Sequence, residues 1–297
     1  MSDTNPSPDS QDDLRLTPDD AGGWEGLAKS WNDLDLNEPA QVAQPDADVP
    51  PLEIPRDASR RRSVWGRVGR VAVTLVLIFG LIGPVLVTAA YRLIPPPITY
   101  LMVERLFEGR GFDRRWRSLD DISPRLVQAV IASEDSTFCA HGGFDMKAIE
   151  RALKANARSE KRGSTRIRGG STISQQTAKN AFLWPGRDWV RKGLEAGYTV
   201  AIETVWGKRR IMEVYLNVAE WAPGVYGAEA ASQHWFGKSA DDLSAREAAR
   251  LAAILPSPRR YSAASPGPYV RRRTSRIQAA MGTVREQGLA ACVIPHP

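Results

Sequence analysis

The sequence predicts a mainly α-helical domain carried behind a single transmembrane helix and a disordered, acidic N-terminal tail. Three observations predict this: the charge is divided unevenly along the chain, one twenty-residue stretch has no charge, and the segment beyond it spaces its apolar residues as helices do. With 297 residues, 42% hydrophobic and 25% charged, the chain is globular in composition. Collagen-like, wholly disordered and disulfide-scaffold classes are excluded.

Residues 1–58 hold 14 Asp or Glu against Arg15, Lys29 and Arg56, together with eight prolines. Such a segment buries too little apolar surface to offset its ordering entropy, and a disordered cytoplasmic tail is expected. Trp24, Leu27 and Trp31 read either as scattered aromatics in that tail or as a short amphipathic docking stretch. The whole chain carries +6, so the remainder carries +17. A strongly basic body points to an anionic partner.

Residues 59–70 form a basic juxtamembrane segment with Arg60, Arg61, Arg62, Arg67 and Arg70. From Val71 to Ala90 the sequence VAVTLVLIFGLIGPVLVTAA is uncharged; at about 1.5 Å per helical residue it covers about 30 Å, the thickness of a bilayer core. A membrane anchor over 71–94 is expected, with Gly83-Pro84 as a kink. The arginines before the span outnumber Arg92 and Arg105 after it, which places the tail inside and the remainder outside. In a Gram-negative bacterium, outside is the periplasm. The exported part keeps a basic surplus of twelve, and an anionic membrane surface with its phosphorylated lipid, rather than nucleic acid, lies beside it.

The domain is expected over 98–290. Ser123-Pro124 supplies an N-cap and first-turn proline for a helix through Leu126, Val127, Val130 and Ile131. Residues 187–218 have helical periodicity broken near Gly207. Ser244-x-x-Glu247 is a capping box opening a helix that Pro256 stops. A basic amphipathic helix occupies 268–286. Ile98, Leu101, Met102, Leu106 and Phe107 read equally as helix core or as apolar contact with the membrane.

Four stretches can carry chemistry. In EDSTFCAHGGFD, Glu134 ends an apolar helix, where the negative end of the helix dipole and partial burial raise a carboxyl pKa toward that of a general base. The same pair, Glu134-Asp135, also reads as a solvated helix end with His141 as a structural histidine. A basic stretch, Lys154, Arg158, Lys161, Arg162, Arg166 and Arg168, reads as a solvated loop and leads into GGSTISQQTAKN. Its glycines, hydroxyls and helix start can present backbone N–H groups to an anion, with Lys179 adding a point charge. In RKGLE, helical spacing puts Arg191, Lys192 and Glu195 on one face. KRRIMEVYLN looks like a core helix packed behind a site. Cys139 and Cys292 permit one bridge and show no metal-ligand clustering, so no metal site is expected.

Taken in this order, these four motifs resemble those of the family 51 glycosyltransferases, the peptidoglycan glycosyltransferases. The resemblance runs on through GVYGAEAASQHWFGK and LSAREAARLAAILPSPRRY, covering roughly residues 100–280; with no transpeptidase domain after Pro297, the chain is similar to the monofunctional members. It implies a lysozyme-like head with a smaller membrane-facing jaw, and polymerisation of lipid II into β-1,4-linked glycan strands at the bacterial inner membrane. Glu134 would then be the catalytic base for the acceptor's 4-hydroxyl, and Glu195 the second essential carboxylate. Asp135, Phe138 and His141 would shape the acceptor site. Ser171, Thr172, Gln175, Gln176, Lys179, Asn180, Arg191 and Lys192 would bind the donor sugar and diphosphate. Lys208, Glu213, Tyr215 and Asn217 would give structural support, while Cys139 and Gly143 sit at positions expected to vary. No cofactor is required on this reading, although a divalent ion such as magnesium is compatible with it. Partners would be lipid II, the growing lipid-linked strand, the membrane and cell-division or cell-wall synthesis proteins. A lytic hydrolase of the same glycan and a non-catalytic scaffold are the rival readings; the former has no diphosphate for the Lys and Arg set to stabilise.

Overall fold

The computed structural model describes residues 66–75, 78–163, 169–186 and 188–294. The tail over 1–58, with Trp24, Leu27 and Trp31, lies outside the described residues, as do Arg60, Arg61, Arg62, Arg166 and Arg168. Among the described residues no helix is long and apolar enough to cross a membrane. The stretch containing the uncharged run is helical over 66–75, π-helical over Ile78–Ile82 and α-helical over Gly83–Leu93 (α1). Pro84 donates no backbone N–H and its ring crowds the carbonyl four residues earlier, which gives a physical reason for the widened turn just before it.

The far end of α1 is docked rather than free. Thr88 is buried, and its carbonyl accepts from Trp206 Nε1 at 2.6 Å. Arg210 donates to the carbonyls of Tyr91 and Ile94 at 2.8 Å each, satisfying groups that a helix C-terminus leaves open. In the next helix, α2 (Tyr100–Phe107), Met102 is fully buried, whereas Leu106 and Phe107 are exposed, as is Ile98 before it. The two readings of this stretch are therefore divided between its faces.

The domain is mainly helical, with one small sheet. Helices α3 (Pro124–Glu134), α4 (Met146–Glu160), α5 (Ile173–Phe182), α6 (Trp189–Val205), α7 (Gly207–Val218), α8 (Ala228–Phe236), α9 (Ala245–Ile254) and α10 (Pro268–Glu286) follow in order. Two groups of helices meet in one core: α3 packs with α9 and α10, while α5 packs with α6 and α7. Strands β1 (Asp113–Arg114), β2 (Glu220–Ala222) and β3 (Val225–Tyr226) pair in the order β1-β3-β2, parallel then antiparallel. Strands this short show no alternation for a sequence to reveal.

Local chemistry explains most boundaries. The break between α6 and α7 falls at Gly207, whose φ of 75° is left-handed. Ser244 and Glu247 form the expected reciprocal capping box. Pro124 begins α3, but the Ser123 hydroxyl does not cap it; it donates to the Leu243 carbonyl at 3.2 Å and ties α3 to the start of α9. The basic stretch before Gly163 is not a loop, because Lys154 and Arg158 sit on α4, capped by the Asp145 side chain on the Ala148 N–H.

Candidate active site

Glu134 ends α3 with its side chain only 14% exposed. Its Oε2 accepts from Gln176 Nε2 on α5, and its Oε1 from Arg273 on α10, both at 3.1 Å. Burial pushes its pKa up, against the opposing pull of Gln176, Arg273 and Lys179. A solvated helix end is thereby ruled out, and the expected shift is present with desolvation as its main cause. Gln176 is in turn oriented by Tyr215, whose hydroxyl donates to the amide oxygen at 3.3 Å. Full burial, with the carboxylates beside it, keeps the Tyr215 phenol well above its ordinary pKa.

The next residue, Asp135, has partners of its own. It accepts from the Ile173 N–H at 3.0 Å and from His141 Nε2 at 3.0 Å. Because Asp135 only accepts, His141 carries its proton on Nε2; Nδ1 is buried with no partner among the described residues. This narrows one expectation. At the N-terminus of α5 the Ile173 N–H is not open to a ligand anion, since Asp135 already occupies it. The Thr172 hydroxyl and the Gln175 side chain form a closed capping box there.

Thr172 also donates to the Gly143 carbonyl at 2.6 Å. Gly143 is not free to vary in this setting: its φ is 94°, and a Cβ would stand 2.8 Å from Thr199 Cγ2. Nor is Cys139, which forms a disulfide with Cys292 beyond α10. Phe138 is fully buried under the Lys208 ammonium, 4.4 Å from its ring centre, and Lys208 pairs with Glu203 at 2.7 Å. Asn217 serves as backbone glue, exchanging bonds of 2.9 and 2.8 Å with Arg117, and Glu213 pairs with Arg210. The support expected of the fourth motif is what these contacts supply.

The second cluster lies on α5 and α6. Glu195 is 3% exposed and is bonded by Arg191, itself 7% exposed, at 3.3 Å, and by Lys192. The spacing is as expected, but the Arg191–Glu195 pair is buried rather than solvated, where loss of one partner strands a charge. Lys179, near the end of α5, has its pKa lowered by burial and held up in part by Glu195 and, less, by Glu134. It thus feels both carboxylates. Lys179, Asn180 and Arg191 line one cleft together with Leu101, Trp184 and Arg259. Glu134, Asp135, Ser171 and Thr172 line another with Asp145, Arg151 and Gly170. Arg273, Arg259 and Arg151 were not among the residues singled out from sequence. Each joins its cleft through tertiary packing, and Arg273 stands 139 positions from Glu134.

Two buried carboxyls, Glu134 and Glu195, stand with the cations Lys179, Arg191 and Lys192, and burial holds the Glu134 carboxyl above its ordinary pKa. Such an arrangement suits transfer of a group from an anionic leaving group to a hydroxyl. It does not make a protein cage for a divalent ion: among the described residues no three His, Cys, Asp or Glu gather, and Arg191 and Lys192 engage both oxygens of Glu195.

A family model described as Transglycosylase matches residues 102–282. A biosynthetic peptidoglycan transglycosylase from Caulobacter vibrioides is 57% identical over 223 residues, covering 75% of this chain and 94% of that protein. Proteins of the same name from Rhodospirillum centenum and Pseudomonas aeruginosa are 56% and 52% identical over 211 residues each. These cover 71% and 69% of this chain, and 89% of each relative. The chain belongs to the transglycosylase family.

Proposed function

We propose that the chain is a membrane-anchored peptidoglycan glycosyltransferase that polymerises lipid II into β-1,4-linked glycan strands, using Glu134 as base and the Lys179–Arg191–Lys192 set at the diphosphate. The acceptor's 4-hydroxyl gives its proton to Glu134 as its oxygen attacks C1 of the donor sugar. The C1–O bond to the polyprenyl diphosphate breaks with inversion. The bonding electron pair stays on the departing phosphate oxygen, adding one negative charge to a group stable as an anion, so it needs cations more than a proton. Lys179, Arg191 and Lys192 supply them, and Glu195 holds the latter two in place. Asp135 and His141 fix the loop that shapes the acceptor side; Ser171, Thr172 and Asn180 add polar lining to the clefts, Gln176 holds Glu134, and Gln175 caps α5.

The observation that carries this reading is the buried Glu134, its pKa raised by burial, held against α5, the helix that also carries Lys179 beside the Arg191–Glu195 pair. No resident cofactor is needed. A magnesium ion, where it takes part, accompanies the substrate diphosphate, and chelation is expected to reduce turnover less than loss of Lys179.

The anchor belongs to the same proposal. Val71, Val73, Leu75, Ile78, Ile82, Val85 and Leu86 are exposed apolar side chains on one continuous uncharged run, which suits a segment covered by lipid. Residues 71–94 span the inner membrane, the tail is cytoplasmic and the domain over 98–290 is periplasmic. Enzyme and lipid substrate then share one surface, which raises their effective concentration.

The test is incubation of the detergent-solubilised chain with labelled lipid II, alongside Glu134→Gln, with products separated before and after lysozyme digestion. Lysozyme-sensitive polymer from the wild type alone supports both activity and base. Polymer from both proteins removes Glu134 from its role. Cleavage of preformed glycan without polymer favours a hydrolase, and neither product from folded protein favours a scaffold.

A further inference from the structure

Helices α9 and α10 leave between them a cavity of about 390 Å³, within the range of small-molecule sites, roughly 300–1,000 Å³. It shares no lining residue with the clefts around Glu134 and Lys179. Arg246 and Arg250 enter it from α9, and Arg271, Thr274, Ser275 and Gln278 from α10. No carboxylate lines it.

The arrangement is unbalanced as it stands. Arg246 and Arg250 are four apart on one helix, a like-charge spacing that weakens a helix. Neither they nor Arg271 forms an ion pair among the described residues; Arg271 instead donates to the Pro266 carbonyl at 2.7 Å, which orients its guanidinium at the rim. The nearest acid on α9, Glu247, is committed to Lys238 and to the Ser244 cap. A second observation is independent of charge: Thr274 is only 5% exposed, and its hydroxyl is buried without a hydrogen-bond partner among the described residues. Buried hydroxyls are ordinarily bonded.

We propose that this cavity binds a phosphate group. A phosphate carries up to two charges and several acceptor oxygens, and planar guanidinium forks match it in pairs. The unpartnered Thr274 hydroxyl and the Gln278 amide supply the shorter bonds, while the Ser275 hydroxyl is already committed to the Arg271 carbonyl at 3.2 Å. A lone carboxylate would satisfy one fork and leave the other cations facing each other. The site stands apart from the reaction, because α10 divides its arginines between two faces: Arg273 turns to Glu134, and Arg271 to this cavity. Either an anionic phospholipid headgroup or a soluble diphosphate provides the required chemistry.

The test titrates the detergent-solubilised full chain with inorganic diphosphate. A parallel titration uses dihexanoyl phosphatidylglycerol below its micellar concentration. Wild type is compared with the Arg246→Gln/Arg250→Gln pair, with Arg250→Gln alone, and with Lys179→Met, which removes a cation from the candidate active site. Circular dichroism verifies folding, and the single variant serves if the pair does not fold. The arginine variants are expected to weaken one class of binding by about tenfold, the scale of one charge-assisted hydrogen bond, while Lys179→Met leaves that class intact. Loss confined to the phospholipid assigns the source to a membrane headgroup; loss confined to diphosphate assigns it to a soluble or leaving group. Binding of both probes unchanged by the arginine variants, or no saturable class in wild type beyond the one Lys179→Met removes, overturns the proposal.

Discussion

At Glu134 the folded chain holds a proton more tightly than the unfolded chain does, because burial outweighs the pull of Gln176 and Arg273. Stability therefore falls as pH rises from the unfolded carboxyl value, about 4.3, to the raised folded one, and the cost is fully present above it. Turnover climbs through the same window as the base form appears. Glu134→Gln is accordingly expected to abolish polymerisation while melting at or above the wild-type temperature at neutral pH, the difference closing below about pH 4. Melting curves across pH 4 to 8 check this, and a large loss of stability would contradict it. Lys179 works in the opposite sense: its lowered pKa means the charged amine is held at a cost below the unfolded value, about 10.4, and stability rises as pH passes from the lowered folded value toward it. Lys179→Met should lose lipid II turnover and gain thermal stability. Read alone, Glu134 at the end of a periodic helix and Lys179 in a polar stretch each have an ordinary alternative; the order of the four motifs, resembling those of a known family, is what singles them out. Arg273 is not singled out, since nothing near it in sequence distinguishes it from the other arginines of α10.

At the scale of elements, the helices whose ends are set by their own residues matched the sequence reading. Ser244 and Glu247 cap α9 as the motif predicts, and Ser244→Ala is expected to cost about 1 kcal/mol in a denaturant titration. Ser123 shows where such reading stops: a hydroxyl at the right position found a better partner 120 residues away. The charge of the run from Lys154 masks its helical periodicity in the sequence, yet α4 forms with Lys154 and Arg158 turned to solvent. The small sheet was invisible, its strands being two or three residues long. Its closest approach is at Gly224, where φ is 72° and a Cβ would lie 2.3 Å from the Arg110 carbonyl oxygen. Neither atom belongs to a flexible side chain, so Gly224→Ala is expected to cost about 2–4 kcal/mol. Chemical denaturation measures that directly, and a change under about 0.5 kcal/mol would show that the loop yields.

Over the whole molecule, the Cys139–Cys292 bridge closes a loop 153 residues long. A cross-link of that span restricts the unfolded chain by up to about 5 kcal/mol in the chain-entropy account. Reduction, or the paired Cys139→Ser/Cys292→Ser change, is expected to lower the melting temperature. It should also lower turnover in the folded protein, since Cys139 lies between Asp135 and His141. Unchanged melting on complete reduction would show that packing alone holds the two ends. The pairing itself was left open by the sequence, because two cysteines state only that one bridge is available. The bond from Asp135 to the start of α5, and that from Gln176 to Glu134, both cross the seam between the two helix groups. Neither half of the domain contains a finished site. On the proposed assignment of Glu134, a chain that is misassembled, nicked or caught before its halves dock would be chemically silent: the seam would act as an interlock, confining reactive machinery to molecules that have passed their own assembly check.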